Sequence, residues 1–219
     1  MINTNHNCAE NMKYVLEELP GIKSVNEIKI SNGMIERISV ENKSLGTLII
    51  RRLKADDSSA LFNFYFHGLS EKSRNLFPPY PLFSPPVNSA EELASRIADW
   101  EKEDDWIVLN LIMGEQIIGV CLLKRYKTER PVSGLAVREE YQKAGLGTLL
   151  QAVINEQARL LNLKILYATV APDNIASLRV HRKCGFKETG KLVPHYGYKN
   201  GIKEVDRHDI EMVVELNHG

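Results

Sequence analysis

Apolar side chains recur along this chain with two periods, and the switches between them mark its elements. Met12, Val15, Leu16 and Leu19 fall at helical spacing ahead of Pro20-Gly21, so a short amphipathic helix is expected to open the chain. Ile28, Ile30, Ile35, Ile38 and Val40 flank Asn32-Gly33, a dipeptide that tolerates positive φ and therefore predicts a tight β-hairpin. A strand over 47–53 and a helix over 55–67, with Leu61, Phe62, Tyr65 and Phe66 turned inward, begin a second block. Five of the nine prolines then fall between Pro78 and Pro86, which predicts a stiff loop without regular structure. Ser89 and Glu92 sit at capping-box positions of a helix carrying Leu93, Ile97 and Trp100 on one face.

The apolar runs 106–113 and 116–126, bridged by Gly114-Glu115, read as an antiparallel hairpin, and 132–137 reads as the next strand. Alternation follows: a helix from about 145 to 161, a strand over 165–171, a helix over 174–184 and a strand over 186–193. Asn200-Gly201 lies in a connection ahead of a last strand over 210–216. The chain is thereby divided into a small α+β appendage, 1–44, and a main domain, 45–219.

At 219 residues, 43% hydrophobic and 26% charged, the chain reads as a folded globular protein and not as a disordered one. Its 28 basic and 28 acidic residues cancel, which removes the global field that nucleic acid or anionic lipid would require. Cys8, Cys121 and Cys184 form no CxxC pair, and an odd count makes a poor disulfide framework, so a reducing compartment is expected. The run 106–113 is far below the roughly 20 residues of a spanning helix. The polar start of the chain lacks the features of a signal peptide, and a cytoplasmic protein is expected.

Two constellations carry chemistry. In the first, Leu135, Ala136 and Val137 end a strand, and Gln142, Lys143, Ala144, Gly145, Leu146, Gly147 and Thr148 lead into a long helix. A strand feeding a helix N-terminus presents unpaired amides and the positive end of the dipole, a seat for phosphate, and glycines let a ligand approach. Neither the third glycine of a dinucleotide fingerprint nor the Gly-Lys-Ser/Thr of a P-loop is present, which counts against NAD and ATP. An ordinary strand-to-helix turn would use the same residues. In the second, Asn174, Ser177, His181 and Gly185 stand at offsets of 0, 3, 7 and 11, one stripe of a helix. A capped amphipathic helix, with Asn174 as N-cap and Gly185 ending it, has that same pattern.

Together the two segments resemble the GNAT N-acetyltransferase superfamily. Gln142, Gly145 and Gly147 match Gln/Arg-x-x-Gly-x-Gly/Ala, and Asn174, Ser177, Gly185 and Phe186 match Asn-x-x-Ala/Ser-x-x-x-Tyr-x-x-x-Gly-Phe, with His181 replacing the tyrosine. The likeness extends over roughly 46–219. It implies an α+β fold: a mixed, mostly antiparallel sheet flanked by helices, splayed between strands 132–137 and 165–171 to admit acetyl-CoA. It further implies that pantetheine pairs with Leu135, Ala136 and Val137 and meets Asn174 and Ser177. The amides from Gln142 to Thr148, those of Lys143, Ala144 and Leu146 included, would hold the pyrophosphate.

The activity implied is direct transfer of acetyl from acetyl-CoA, the co-substrate, to a primary amine, on a small molecule or a protein, without a metal. A non-catalytic acyl-CoA-sensing module is the alternative. A homo-oligomer is left open. His181 stands where a thiolate-protonating tyrosine is usual, and a histidine near its ordinary pKa of about 6.5 can donate a proton; a half-exposed residue without catalytic duty is the other reading. No base stands in strand 132–137, and Glu139 and Glu140 read as solvated first-turn charges. His195, Tyr196 and Tyr198 lie in a region that borders the implied acceptor pocket, with aromatic cover over a sheet end as the other reading; Tyr80 and Phe83 would line the other side of it, with rigid packing of the proline loop as the alternative. Cys184 reads as a small hydrophobe. The stretch 69–77 weakly resembles GNAT domains that modify protein lysines.

Overall fold

The computed structural model describes residues 2–77, 87–102, 105–199 and 202–216. The expected proline loop with Tyr80 and Phe83, the Asn200-Gly201 connection and the Tyr198 side chain lie outside the described residues. Helix α1 (Ile2–Glu17) leads into the hairpin β1 (Ile22–Ser31) and β2 (Met34–Asn42), whose turn residues Asn32 and Gly33 have φ of 51° and 73°. Strand β3 (Gly46–Arg52) and helices α2 (Ser58–His67), α3 (Glu71–Leu76) and α4 (Ala90–Trp100) follow. Then come β4 (Trp106–Met113), β5 (Gln116–Lys124), β6 (Val132–Val137), α5 (Leu146–Leu160), β7 (Ile165–Val170), α6 (Ile175–Lys183), β8 (Lys187–Lys199) and β9 (Ile202–Glu215).

These strands form one sheet in the order β1-β2-β3-β4-β5-β6-β7-β9-β8. Neighbours are antiparallel except β6 and β7. Met12, Leu16, Leu149, Val153, Ile154 and Leu178 cover one face from α1, α5 and α6. Leu61, Phe64, Leu93, Ile97 and Trp100 cover the other from α2 and α4. The mixed, mostly antiparallel α+β architecture is therefore as expected. No described helix is long and apolar enough to cross a membrane.

The segment 1–44 contains the expected helix and hairpin, but α1 starts at Ile2, ahead of the apolar repeat. Strand β2 pairs with β3 from Arg37↔Arg51 to Asn42↔Gly46, so the hairpin continues the sheet. Helix α3 was not foreseen; it is one short turn-and-a-half capped by Ser70, whose side chain accepts a hydrogen bond from the Ser73 amide. Strands β8 and β9 also run past the expected 186–193 and 210–216. Residues 194–199 and 202–208 pair with each other beyond the end of β7, and their polar composition hid the strand pattern.

The sheet splits at one place. Strand β6 pairs with β5 from Val132↔Lys124 to Val137↔Gly119, yet meets β7 only at Val132↔Tyr167, beside a bond from Tyr167 N to Pro131 O of 2.9 Å. At the base of the split, the Arg130 guanidinium lies 4.4 Å from the Tyr167 ring centre and hydrogen-bonds the buried Glu211 of β9.

Candidate functional site

Backbone alternation decides what β6 offers to the opening. The Arg138 amide bonds Ile118 O on β5 at 2.9 Å, so residues of that parity, Ala136 included, turn their peptide groups to β5. Leu135 and Val137 face the open edge, in line with Pro131 O reaching β7. Of the three residues expected to meet pantetheine, these two turn their backbone to that edge, although the Val137 carbonyl already has a partner. The Gln142 side-chain amide lies 3.4 Å from Val137 O, a tie that spacing alone does not announce.

The turn after β6 reverses through Lys143 (φ 70°) and Gly145 (φ 80°), and Gly145 caps α5. Helical pairing starts with Leu149 N to Gly145 O at 3.1 Å. The Gln142 amide is taken by Glu139 O at 3.2 Å, so the amides without a backbone acceptor among the described residues run from Lys143 through Ala144, Gly145, Leu146 and Gly147 to Thr148. Successive free amides around a left-handed residue make a concave anion seat, and the helix dipole adds to it.

The two glycines of this turn serve different ends. A Cβ on Gly145 would find no heavy atom within 4 Å, so positive φ demands glycine there while space in front stays open. A Cβ on Gly147 would come within 3.2 Å of Val180 Cγ2 and 3.8 Å of Leu135 Cδ1. Gly147 therefore lets α5 approach α6 and β6 closely, whereas the space in front of Gly145 is open.

On α6 the expected stripe forms. Asn174 Oδ1 accepts the Ser177 amide at 3.1 Å, and His181 Nδ1 lies 2.9 Å from Ser177 O and 3.3 Å from Ser177 Oγ. Gly185 (φ 89°) ends the helix, with the Phe186 amide bonded to His181 O at 3.0 Å. His181 is 3% exposed, so the half-exposed reading is corrected: the ring is packed edge-on against Phe186 at 5.0 Å. Donation from Nδ1 to Ser177 O leaves Nε2 an acceptor, and Nε2 is buried without a partner among the described residues. Burial pushes the imidazole pKa down, against the opposing pull of the Ser177 carbonyl.

Glu139 is exposed in the first turn after β6, as expected, and it is also tied down. Its carboxylate accepts the Ser73 hydroxyl at 2.7 Å and the Ser70 amide at 3.0 Å, and the hydrogen bonds from Ser70 and Ser73 hold its pKa below the usual range. It thus anchors α3 beside the end of β6 instead of acting as a base. Burial pushes the Cys184 thiol up to about 11, in keeping with a packing residue, and its Sγ lies 3.8 Å from Thr148 O. His195 Nδ1 lies 2.7 Å from Asp206 Oδ1, a pairing across β8 and β9 that the sequence pattern did not disclose.

Comparison with known proteins bears on the family and the fold. A family model described as an acetyltransferase (GNAT) domain matches residues 47–187. An N-alpha-acetyltransferase of Sulfurisphaera tokodaii is 34% identical over 103 residues, 45% of this chain and 60% of that protein. An L-methionine sulfoximine/L-methionine sulfone acetyltransferase of Pseudomonas paraeruginosa is 41% identical over 66 residues, 30% of this chain and 37% of that one. The matches thus span less than two thirds of either relative. The crystal structure of ribosomal-protein-S5-alanine acetyltransferase from Vibrio fischeri superposes with a TM-score of 0.61 at 19% identity, over 78% of this chain and 93% of that chain, a likeness of fold.

Proposed function

The chain belongs to the GNAT acetyltransferase family, and from that premise we propose that it transfers the acetyl group of acetyl-CoA directly to a primary amine of a small molecule or protein. The observation that carries this reading is the split between β6 and β7 beside the amides of Lys143–Thr148: an unpaired strand edge and an anion seat adjoin, as an acyl-CoA requires.

In this reading Leu135 and Val137 pair with pantetheine, with Ala136 supporting the strand from its β5 side. Lys143, Ala144, Gly145, Leu146, Gly147 and Thr148 hold the pyrophosphate, and the Gln142 side chain braces the turn through Val137 O. Asn174 offers its side-chain nitrogen, its oxygen being bonded to Ser177. A strand amide beside the thioester carbonyl steadies developing negative charge. His181 packs and orients α6. The three cysteines are free, which supports a reducing compartment such as the cytoplasm.

Acetyl-CoA should raise the thermal midpoint, since a ligand at a hundred times its dissociation constant adds about 2.7 kcal/mol. Gly145→Val should abolish that shift, because a β-branched side chain resists positive φ and fills the open space. Unchanged binding in folded Gly145→Val protein refutes the phosphate site. Labelled acetyl-CoA incubated with a cell extract then separates protein from small-molecule acceptors. Binding without thiol release on a broad amine panel favours the sensor.

A further inference from the structure

Resting on that transfer reading, we infer that His195, held by Asp206, is the general base that takes a proton from the acceptor ammonium. The closing hairpin carries it to the mouth of the split. The β7–β9 ladder ends at Val170↔Ile210, while β8–β9 pairing continues through Pro194↔His208 and His195↔Arg207 to Lys199↔Ile202. Directly paired residues share a sheet face, so His195 lies on the face of Arg207. Arg207 Nη1 donates to Asn75 O of α3 at 2.9 Å. The other end of α3 is fixed to Glu139, just after β6, and Lys72 Nζ lies 4.0 Å from Asp173 Oδ2, just after β7. Helix α3 thus crosses the mouth of the split, and His195 faces the α3 side of it. An amine reaching a thioester between β6 and β7 from this face enters between α3 and the hairpin.

The pair is built into the strands. The β8–β9 register passes from His195↔Arg207 to Tyr196↔Val205, so Asp206 is the extra residue of a β-bulge, a device that re-aims a side chain. Its carboxylate lies over Gly197, where a Cβ would come within 2.8 Å of Asp206 Oδ2. With Nδ1–H donated to Asp206 at 2.7 Å, the lone pair is fixed on Nε2, which has no hydrogen bond among the described residues. Arg207 lies 3.9 Å from Asp206 Oδ2 and also pairs with the buried Asp209 at 2.7 Å, which leaves Asp206 to serve the imidazole.

In the step, His195 Nε2 takes one proton from R–NH3+. The amine nitrogen attacks the thioester carbon, the C–N bond forms and the C–S bond breaks. A second amine proton goes to the departing thiolate, and His195 returns its proton to solvent.

Bromoacetyl-CoA tests the placement without knowledge of the acceptor. Nε2 displaces bromide, and the adduct is expected on the peptide containing His195, suppressed by excess acetyl-CoA and absent from His195→Gln. On amines that the wild type acetylates, His195→Gln should lose about 100-fold or more in kcat/KM, the range of general-base catalysis, with the acetyl-CoA thermal shift retained. Gly197→Ala, which displaces only the Asp206 carboxylate, should lower kcat and leave KM near that of the wild type. Adducts confined to Cys8, Cys121 or Cys184, no adduct on a protein that binds acetyl-CoA, or unchanged turnover of His195→Gln would each overturn the assignment. Absence of any acetyl-CoA shift strikes at the underlying transfer reading instead.

Discussion

Gln157 Oε1 lies 2.8 Å from the amide nitrogen of Ile35, joining the last turn of α5 to the first hairpin. The same side chain donates from Nε2 to Gly33 O at 2.9 Å, and Gln157 is fully buried. One amide therefore serves both a donor and an acceptor of the β1–β2 hairpin, and it does so from the helix that follows the Gly145 turn. Gln157→Leu keeps the volume but leaves a buried donor, Ile35 N, and a half-buried acceptor, Gly33 O, unpaired. At about 1–3 kcal/mol for the buried donor and about 1 kcal/mol for the partly solvated acceptor, a loss of about 2–4 kcal/mol is expected in urea unfolding. A change below about 0.5 kcal/mol would mean that water replaces the amide.

Gly147 and Val180 set the spacing of α5 and α6. Gly147→Ala forces a contact that now stands at 3.2 Å to yield, an overpacking worth about 1–3 kcal/mol. Val180→Ala makes the room, so the double variant should recover most of that loss. Additive losses in a thermal-unfolding cycle would show that the two side chains do not meet.

Much of this arrangement was legible before any coordinates, and the remainder has physical reasons for being hidden. The helical offsets of Asn174, Ser177, His181 and Gly185 put them on one stripe, but periodicity carries no information on which neighbour covers it; Phe186 buries His181. Gly145 and Gly147 look alike in a motif, yet one answers to φ and the other to Val180. The Asp206 bulge was invisible because an extra residue breaks the alternation by which strands are found. Asn32-Gly33 announced its hairpin, whereas the sheet partner of that hairpin, β3, depends on long-range pairing.

The base of the split depends on Arg130 and Glu211. Burial works to raise the Glu211 carboxyl, and hydrogen bonds from Thr189 and Arg130, with the charge of Arg130, outweigh it, so its pKa lies below the usual range. Its contribution to stability is present above the unfolded value of about 4.3 and is lost as pH falls through the lower folded value. In Arg130→Met the buried carboxylate loses its cation, and its folded pKa should rise. That variant should be less stable than wild type at pH 7, with the gap narrowing as pH falls toward 4. A gap independent of pH, in thermal scans at matched ionic strength, would assign the loss to packing of Arg130 on Tyr167.

His181 offers the opposite test of the same linkage. Its folded pKa is depressed below the ordinary 6.5, first by burial, so near pH 8 the ring is neutral both folded and unfolded. Below about 6.5 the unfolded chain binds a proton that the folded chain does not, and stability declines. His181→Phe removes the titration together with the unpartnered buried Nε2, and its ring can keep the edge contact with Phe186. The variant should be within about 1 kcal/mol of wild type at pH 8, the range of a tolerated core exchange, and should lose less stability than wild type between pH 6.5 and 5. Acetyl-CoA turnover on a good amine should fall by less than tenfold. A loss of a hundredfold or more, with the acetyl-CoA thermal shift retained and the acid limb of the rate profile displaced, would restore His181 as the proton donor.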